Sequence, residues 1–105
     1  MTTFDKREEG FEKKFALDEE QKFKAEARRN RLLGLWAAEK LGLSGDAATA
    51  YSKEVVAADF DEANGVQNKV VKDFAAKGVA ITAPDVRAKM DELMIEAVAQ
   101  VKAGA

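Results

Sequence analysis

Residues 23–43 read FKAEARRNRLLGLWAAEKLGL, and this stretch decides the fold. Side chains three and four residues apart share one face of a helix, and here they comprise Ala25, Arg29, Leu32, Leu33, Trp36, Lys40 and Leu41. The apolar run at residues 32–38 is wider than a single stripe, which predicts packing against more than one neighbour. Gly42 supplies the left-handed residue that ends a helix, and Leu43 can fold back on the last turn. The stretch therefore predicts the back two-thirds of one long central helix.

This central helix is predicted over residues 18–41, because acidic side chains near Asp18 suit its first turn. A second helix is predicted over residues 45–63, since Ser44 is a good N-cap and Asn64 with the following glycine is a typical C-terminal stop. Its apolar faces consist of Ala47, Tyr51, Val55 and Ala58 on one side, and of Val56, Phe60 and Ala63 on the other.

Two more helices are predicted after the second. The third covers residues 67–77 and should bury Val70, Val71 and Phe74 before Gly78 closes it. The fourth covers residues 83–102 and has the clearest start. There, Thr82-Ala-Pro-Asp85 fits a capping box with a proline in the first turn, and Ile81 and Val86 can form a hydrophobic staple. Its apolar stripe consists of Val86, Met90, Leu93, Met94, Ala97, Val98 and Val101. Because no segment alternates as a strand does, the sequence predicts an all-α fold, a four-helix bundle over residues 18–105.

Composition limits the functions of this chain of 105 residues. Without cysteine or histidine it cannot form disulfides, thiolate or imidazole metal sites, or nucleophile–histidine pairs. Its net charge of −2 lacks the basic excess typical of nucleic-acid binding. The acidic first 20 residues lack an apolar signal core, and the run at residues 32–38 is far shorter than the ~18 residues of a membrane span. The sequence predicts a cytoplasmic protein of one domain, without membrane insertion, metal or cofactor.

One acidic cluster resembles the start of a metal-binding loop. Asp59 and Asp61 have the spacing that opens an EF-hand, and Glu62 follows them. However, Ala63 replaces the third acidic ligand and Asn64 replaces the glycine. A solvated helix face is the better explanation, because charge clusters usually have that role. No recognisable nucleophile or metal set remains, so the chain is not expected to be an enzyme.

Two further patterns have ordinary explanations. Arg28, Arg29 and Arg31 form a small basic cluster without support from other basic runs, which favours a surface face, with contact to an acidic protein partner as the alternative. The turn from Gly42 to Gly45 exposes backbone amides that could hold a phosphate. A capped turn is the better explanation.

The N-terminal arm, residues 1–17, combines an aromatic stripe with dense charge. Phe4, Phe11 and Phe15 are spaced seven and four residues apart, so they align on one narrow helical face. The charged side chains that flank this face are Arg7, Glu8, Lys14, Asp18 and Glu19. Acid-before-base pairs add about 0.2–0.5 kcal/mol each, but Gly10 offsets them by about the same total. Because helix nucleation is costly, we expect the arm to be marginally helical and largely disordered in the free protein.

The stripe has two interpretations. It covers the bundle, as amphipathic helices normally do, or it is a ligand whose anchors at i, i+7 and i+11 fold into a partner's cleft. The stripe is narrow, its flanking charge is heavy, and the four later helices can close a core without it. These points favour the interpretation of the stripe as a ligand for a partner's cleft.

The sequence FEKKFALDEE at residues 11–20, followed by the stretch at residues 23–43, closely resembles the zeta subunit family, the inhibitors of F-type ATP synthases in alphaproteobacteria. The resemblance continues through VV-x-x-DF at residues 55–60 and VRAKMDE at residues 86–92. It therefore extends over essentially the whole chain.

This resemblance implies a four-helix domain that docks on the catalytic head of the synthase, formed by its alpha, beta and gamma subunits. It also implies that the arm enters a cleft between catalytic subunits as a helix and blocks rotation in the hydrolytic direction. The inhibitory residues would be Phe4, Arg7, Glu8, Phe11, Lys14, Phe15, Asp18 and Glu19. The protein would be a monomer when free and would associate with the cytoplasmic face of the inner membrane through the synthase.

This sequence departs from many relatives at Leu17, where a histidine is common after Phe-Ala. The chain has no histidine at all, which excludes an imidazole-based pH switch. Some members of the family are associated with nucleotides, so weak nucleotide binding stays open. The alternative function is accordingly a small helical nucleotide-binding regulator or sensor whose arm is structural cover.

Overall fold

The computed structural model describes residues 17–104, which form four helices and no strand. They are α1 (Glu19–Lys40), α2 (Gly45–Ala58), α3 (Gly65–Ala76) and α4 (Ala83–Lys102). The predicted all-α, four-helix fold is confirmed for this part of the chain. Residues 1–16, which include nearly all of the predicted arm, lie outside the described residues.

The start of α1 is fixed by a reciprocal capping box. The backbone N–H of Gln21 donates to Oδ1 of Asp18 at 2.7 Å, and the backbone N–H of Asp18 donates to Oε1 of Gln21 at 3.2 Å. Glu19 and Glu20 occupy the first turn, where carboxylates suit the helix dipole. The helix therefore begins one residue after Asp18, which is where the sequence predicts it.

At its other end, α1 closes with a Schellman turn. Gly42 has a φ of +81°, and the backbone N–H of Leu43 donates to the carbonyl oxygen of Ala38 at 2.8 Å. Leu43 packs against the core as a partly buried side chain. The predicted stop is confirmed, and it turns the chain directly into α2.

The central helix α1 contacts each of the other three helices, whereas α2 and α4 do not contact each other. The buried cluster around α1 consists of Leu33, Ala37, Ala38, Tyr51, Val55, Val66, Val70, Phe74, Val86, Met90 and Leu93. Trp36 meets Phe74 edge-on, with the ring centroids 5.7 Å apart. The wide apolar run at residues 32–38 is thus explained by several neighbours rather than one.

α1 approaches α2 closely at Gly34, which is buried. A Cβ atom at this position would lie 2.6 Å from Cα of Ser52 and 3.2 Å from Cβ of Val55. Such distances are far inside van der Waals contact, so only glycine allows the two backbones to come this near. Neighbouring Asn30 is also buried, and its Oδ1 accepts from Nε of Arg29 at 3.0 Å and from Nη2 at 2.9 Å.

The sequence places the end of α2 at residue 63, but the helix ends at Ala58. From Asp59 onward, the backbone N–H groups bond three residues back, which tightens the chain into a turn. Asn64 has a left-handed φ of 61° and precedes α3 rather than ending α2. Gly65 is the first residue of α3, where a Cβ would lie 2.1 Å from the carbonyl oxygen of Ala58. This close approach of the start of α3 to the end of α2 lets α3 bury Val66.

The start of α4 agrees with its predicted capping box. The carboxylate of Asp85 accepts from the backbone N–H of Thr82 at 3.1 Å and from its hydroxyl at 2.9 Å. These two bonds favour the charged carboxylate and lower the pKa of Asp85. Val86 is buried and Ile81 packs against the core, as the predicted staple requires.

A polar contact joins α2 to α3 at the edge of the core. The hydroxyl of Tyr51 donates to Oδ2 of Asp73 at 2.8 Å, and Nζ of Lys69 lies 3.1 Å from the same oxygen. Burial raises the pKa of Tyr51, and the bond to Asp73 adds to the shift. The neutral tyrosine is therefore the form that the fold favours.

Candidate partner-binding surface

Asp18 and Glu19 are the predicted inhibitory residues that lie within the described part of the chain. Asp18 is exposed, but its carboxylate caps α1, and Glu19 is the exposed first residue of that helix. The remaining predicted residues, Phe4, Arg7, Glu8, Phe11, Lys14 and Phe15, lie outside the described residues. Asp18 therefore defines the point at which the arm meets the bundle.

One groove opens where the chain enters the bundle, between the start of α1 and the second half of α4. Its volume is about 530 Å³. We call it the Ile95 groove, and its lining residues are Leu17, Lys22, Glu26, Asp91, Met94, Ile95 and Val98. Ile95 is 53% exposed although it is a large apolar side chain. One cation, Lys22, and two carboxylates, Glu26 and Asp91, border this groove.

A second apolar surface lies between α1 and the end of α2. Phe23 is 64% exposed and Phe60 is 76% exposed, and both line the same small cleft. Ala27 and Val56 line this cleft as well. We call these four residues the aromatic patch. Two largely exposed phenylalanines that line one cleft are typical of an interaction site.

The structure corrects the prediction that Val56, Phe60 and Ala63 form one apolar face of the second helix. Because α2 ends at Ala58, Phe60 lies in the turn that follows and not on the helix. Ala63 is exposed in the same turn, and Val56 is only half-buried. The local signal for this was the acidic pair on either side of Phe60, Asp59 and Asp61, which would be costly to bury.

A groove of about 720 Å³ runs along one side of the aromatic patch and has a basic edge. Lys24, Arg28 and Arg31 line it from α1, together with apolar surface from the patch and from Val101. Nη1 of Arg28 donates to Oε1 of Gln100 at 3.1 Å, which holds the guanidinium at the groove. Glu26 and Asp59 line the small cleft together with the patch residues. The patch thus borders on basic and on acidic side chains.

The structure separates the three arginines that the sequence places together. Arg29 turns inward and donates to Asn30, whereas Arg28 and Arg31 share the basic groove. The sequence pattern distinguishes Arg29, which shares the predicted face of Ala25 and Leu33, but it does not show that Arg28 and Arg31 line one groove.

The remaining sequence patterns form no further site. Asp59, Asp61 and Glu62 are exposed in the turn after α2, and residues 17–104 contain no group of three potential metal ligands close enough to hold an ion. Gly42 and Gly45 both have positive φ and form the turn between α1 and α2. No helix in the described range has the length and apolar character needed to cross a membrane.

Comparison with known proteins identifies a family and a solved structure that are similar to this chain. The family model described as ATPase inhibitor subunit zeta matches residues 1–100. A protein whose structure was determined by solution NMR is 52% identical to this chain, and the similarity covers 79% of this chain and 96% of that protein with a TM-score of 0.68. A comparison with curated proteins gives no match.

Proposed function

The chain belongs to the ATPase inhibitor subunit zeta family, and on this premise we propose that it inhibits ATP hydrolysis by an F-type ATP synthase. The arm, residues 1–17, inserts as a helix into a cleft between catalytic subunits and blocks rotation in the hydrolytic direction. The observation that carries this proposal is the family match, which begins at residue 1 and so includes the arm as well as the bundle.

The described bundle is consistent with a separate role for the arm. Its buried cluster draws on all four helices and extends from Leu33 to Leu93. Among the described residues, every buried side-chain nitrogen and oxygen has a hydrogen-bond partner. A bundle with a core of this kind can carry an N-terminal arm whose phenylalanines bind another protein.

The free energies also allow an arm that folds on binding. Ordering a segment of this kind costs about 2–5 kcal/mol. Burial of Phe4, Phe11 and Phe15 contributes about 1.5–3 kcal/mol for each side chain. The sum exceeds the cost by a modest margin, so inhibition should depend on every one of the three rings.

ATP hydrolysis by purified F-type synthase tests the proposal. The enzyme is assayed with the full chain, with a chain lacking residues 1–17, and with neither. The full chain should inhibit, and the shortened chain should fold but not inhibit. Equal inhibition by the two chains would contradict an inhibitory arm, and an arm-independent response to added nucleotide would favour the sensor function.

Replacing Phe11 by alanine should weaken inhibition about 10- to 100-fold, because one buried phenylalanine contributes about 1.5–3 kcal/mol. The measurement is the concentration of protein that halves ATP hydrolysis. Lys13→Ala is the matched control, since Lys13 lies off the aromatic stripe and should change that concentration about threefold or less. Normal potency of Phe11→Ala would count against insertion of the stripe.

A further inference from the structure

We propose that the Ile95 groove holds the last residues of the chain's own arm in the free protein, with the ring of Phe15 as its occupant. This contact competes with insertion of the arm into the synthase. The contact itself is inferred from the described residues around Leu17, whereas its effect on inhibition rests on the proposed function.

The Ile95 groove is an apolar gap between α1 and α4. Met94, Ile95 and Val98 line it from α4, on one face of that helix. Among the described residues, none from α2 or α3 lines the groove, and Ile95 stays 53% exposed. Covering such a side chain is favourable because apolar area leaves water. The groove therefore offers a hydrophobic contact that the four helices do not fill.

The arm joins the bundle at this groove. Leu17 lines it, is half-buried and precedes the N-cap Asp18, the position from which an apolar side chain packs against the first turns of a helix. Phe15 is two residues away, and two residues of extended chain span at most about 7 Å. Side chains two residues apart point to the same side of an extended chain. An extended stretch at residues 15–17 would therefore direct Phe15 and Leu17 toward the same groove.

The charges of the groove and of the arm are complementary to a small degree. Glu26 and Asp91 outnumber Lys22 in the groove, and residues 12–16 carry two lysines against one glutamate. Nε of Arg87 lies 4.0 Å from Oδ1 of Asp91, but both side chains are largely exposed, so this pair is weak. The charges thus favour the contact modestly, and its main contribution is apolar.

A contact of this kind lowers the potency of the chain as an inhibitor. An arm that occupies the groove is not free to enter the synthase, so the apparent dissociation constant equals the intrinsic value divided by the free fraction. Weakening the groove should therefore strengthen inhibition. Loss of a surface that binds the synthase would have the opposite effect, so the sign of the change identifies the role of the groove.

Nuclear magnetic resonance of the free, full-length chain tests the contact directly. An aromatic ring shifts the resonances of methyl groups that lie against it. The methyl resonances of Met94, Ile95 and Val98 should therefore move when Phe15 is replaced by alanine. Phe4→Ala is the matched control, since Phe4 lies eleven residues further from the bundle along the chain, and it should leave these resonances in place.

Inhibition of purified F-type synthase tests the competition. Ile95→Ala removes apolar contact from the groove and should lower the concentration that halves ATP hydrolysis by about 3- to 8-fold. Leu35→Ala is the matched control, because Leu35 is also an exposed aliphatic side chain but lies outside the groove. It should leave that concentration unchanged. Circular dichroism of both variants checks that the bundle is intact.

The outcomes separate the groove contact from the proposed function. If Phe15→Ala leaves the methyl resonances unchanged, the groove does not hold the arm, and the inhibitory function is unaffected by that result. If the resonances move but Ile95→Ala inhibits no better than the wild-type chain, the competition is overturned. If the wild-type chain does not inhibit, the proposed function fails, while the resonances still decide the contact. Methyl resonances that depend on protein concentration would identify a second copy as the occupant and overturn the proposal.

Discussion

The two halves of α1 differ sharply in what surrounds them. Among residues 30–40 the buried positions are Asn30, Leu33, Gly34, Ala37 and Ala38, whereas Ala25 is the buried position among residues 19–29. The second half lies within the bundle, and the first half presents Phe23 and the basic groove to the outside. The comparison teaches that one continuous helix can anchor the body at one end and present a binding surface at the other.

This division has a mechanical consequence for α1. Because α1 is a single helix from Glu19 to Lys40, its exposed half cannot move independently without breaking backbone hydrogen bonds. A force on the first turn of α1 is therefore passed along the helix to the core around Leu33.

The largest expected difference between the two halves is in stability. Leu33→Ala should lower the free energy of unfolding by about 2–5 kcal/mol, because Leu33 is fully buried and truncation leaves a cavity. Phe23→Ala should change it by about 0.5 kcal/mol or less, since Phe23 is largely exposed. Urea unfolding of the two variants measures both values. Similar losses would mean that the first half of α1 is also part of the core.

A smaller effect is expected from adding a methyl group where α1 packs against α2. Gly34→Ala places a methyl group 2.6 Å from Cα of Ser52, so the two helices must separate. Overpacking of this kind costs about 1–3 kcal/mol, and the gain in helix propensity offsets about 1 kcal/mol of it. We expect a net loss in the free energy of unfolding. Glu39→Ala, at an exposed position of the same half, serves as the control and should stay within about 0.5 kcal/mol. An increase in the melting temperature of Gly34→Ala would show that the helices are not packed so closely.

The smallest effect concerns pH and tests the polar edge of the core. At neutral pH, Tyr51→Phe should cost about 0.5–1.5 kcal/mol, because the hydrogen bond to Asp73 is lost. Burial raises the folded-state pKa of Tyr51, so the stability from the neutral hydroxyl is present below pH of about 10 and is lost as the pH rises toward the folded pKa. The wild-type chain should therefore lose more stability than Tyr51→Phe on going above pH of about 10.

Ultraviolet titration of the phenol gives an independent measurement, since Tyr51 is the one tyrosine of the chain. Its absorbance change should occur at higher pH in the folded protein than in urea. A coincident transition in the two conditions would contradict the buried hydrogen bond to Asp73.

The parts of the fold that depend on neighbouring residues could be predicted from the sequence. Asp18, Thr82 with Asp85, and the glycine after α1 each act within a few residues, so their side-chain and backbone preferences determine the helix ends directly. The apolar stripe of α4 could also be predicted, because its period is that of a helix, and five of its seven members are buried: Val86, Met90, Leu93, Ala97 and Val98.

The parts that depend on distant residues could not be predicted in this way. The end of α2 coincides with a close approach of Gly65 to Ala58, beside the buried Val66. Local propensity alone would allow the helix to continue to residue 63, and Phe60 would then be counted as core. The close contact at Gly34 likewise depends on Ser52 in another helix. The aromatic patch, which joins Phe23 to Phe60, follows from both arrangements and has no signature in either segment alone.

Trp36, the single tryptophan of the chain, lies on α1 and packs edge-on against Phe74 of α3. Nζ of Lys89, on α4, lies 5.8 Å from the centre of its ring. The indole is therefore in contact with two other helices. Its fluorescence is therefore a natural signal for the integrity of the bundle and is remote in sequence from the N-terminus. Because the chain has no cysteine, one thiol introduced near the N-terminus can carry a dye without competing sites. The fluorescence of Trp36 and that of the dye would then report separately on the bundle and on the N-terminal arm of the same molecule.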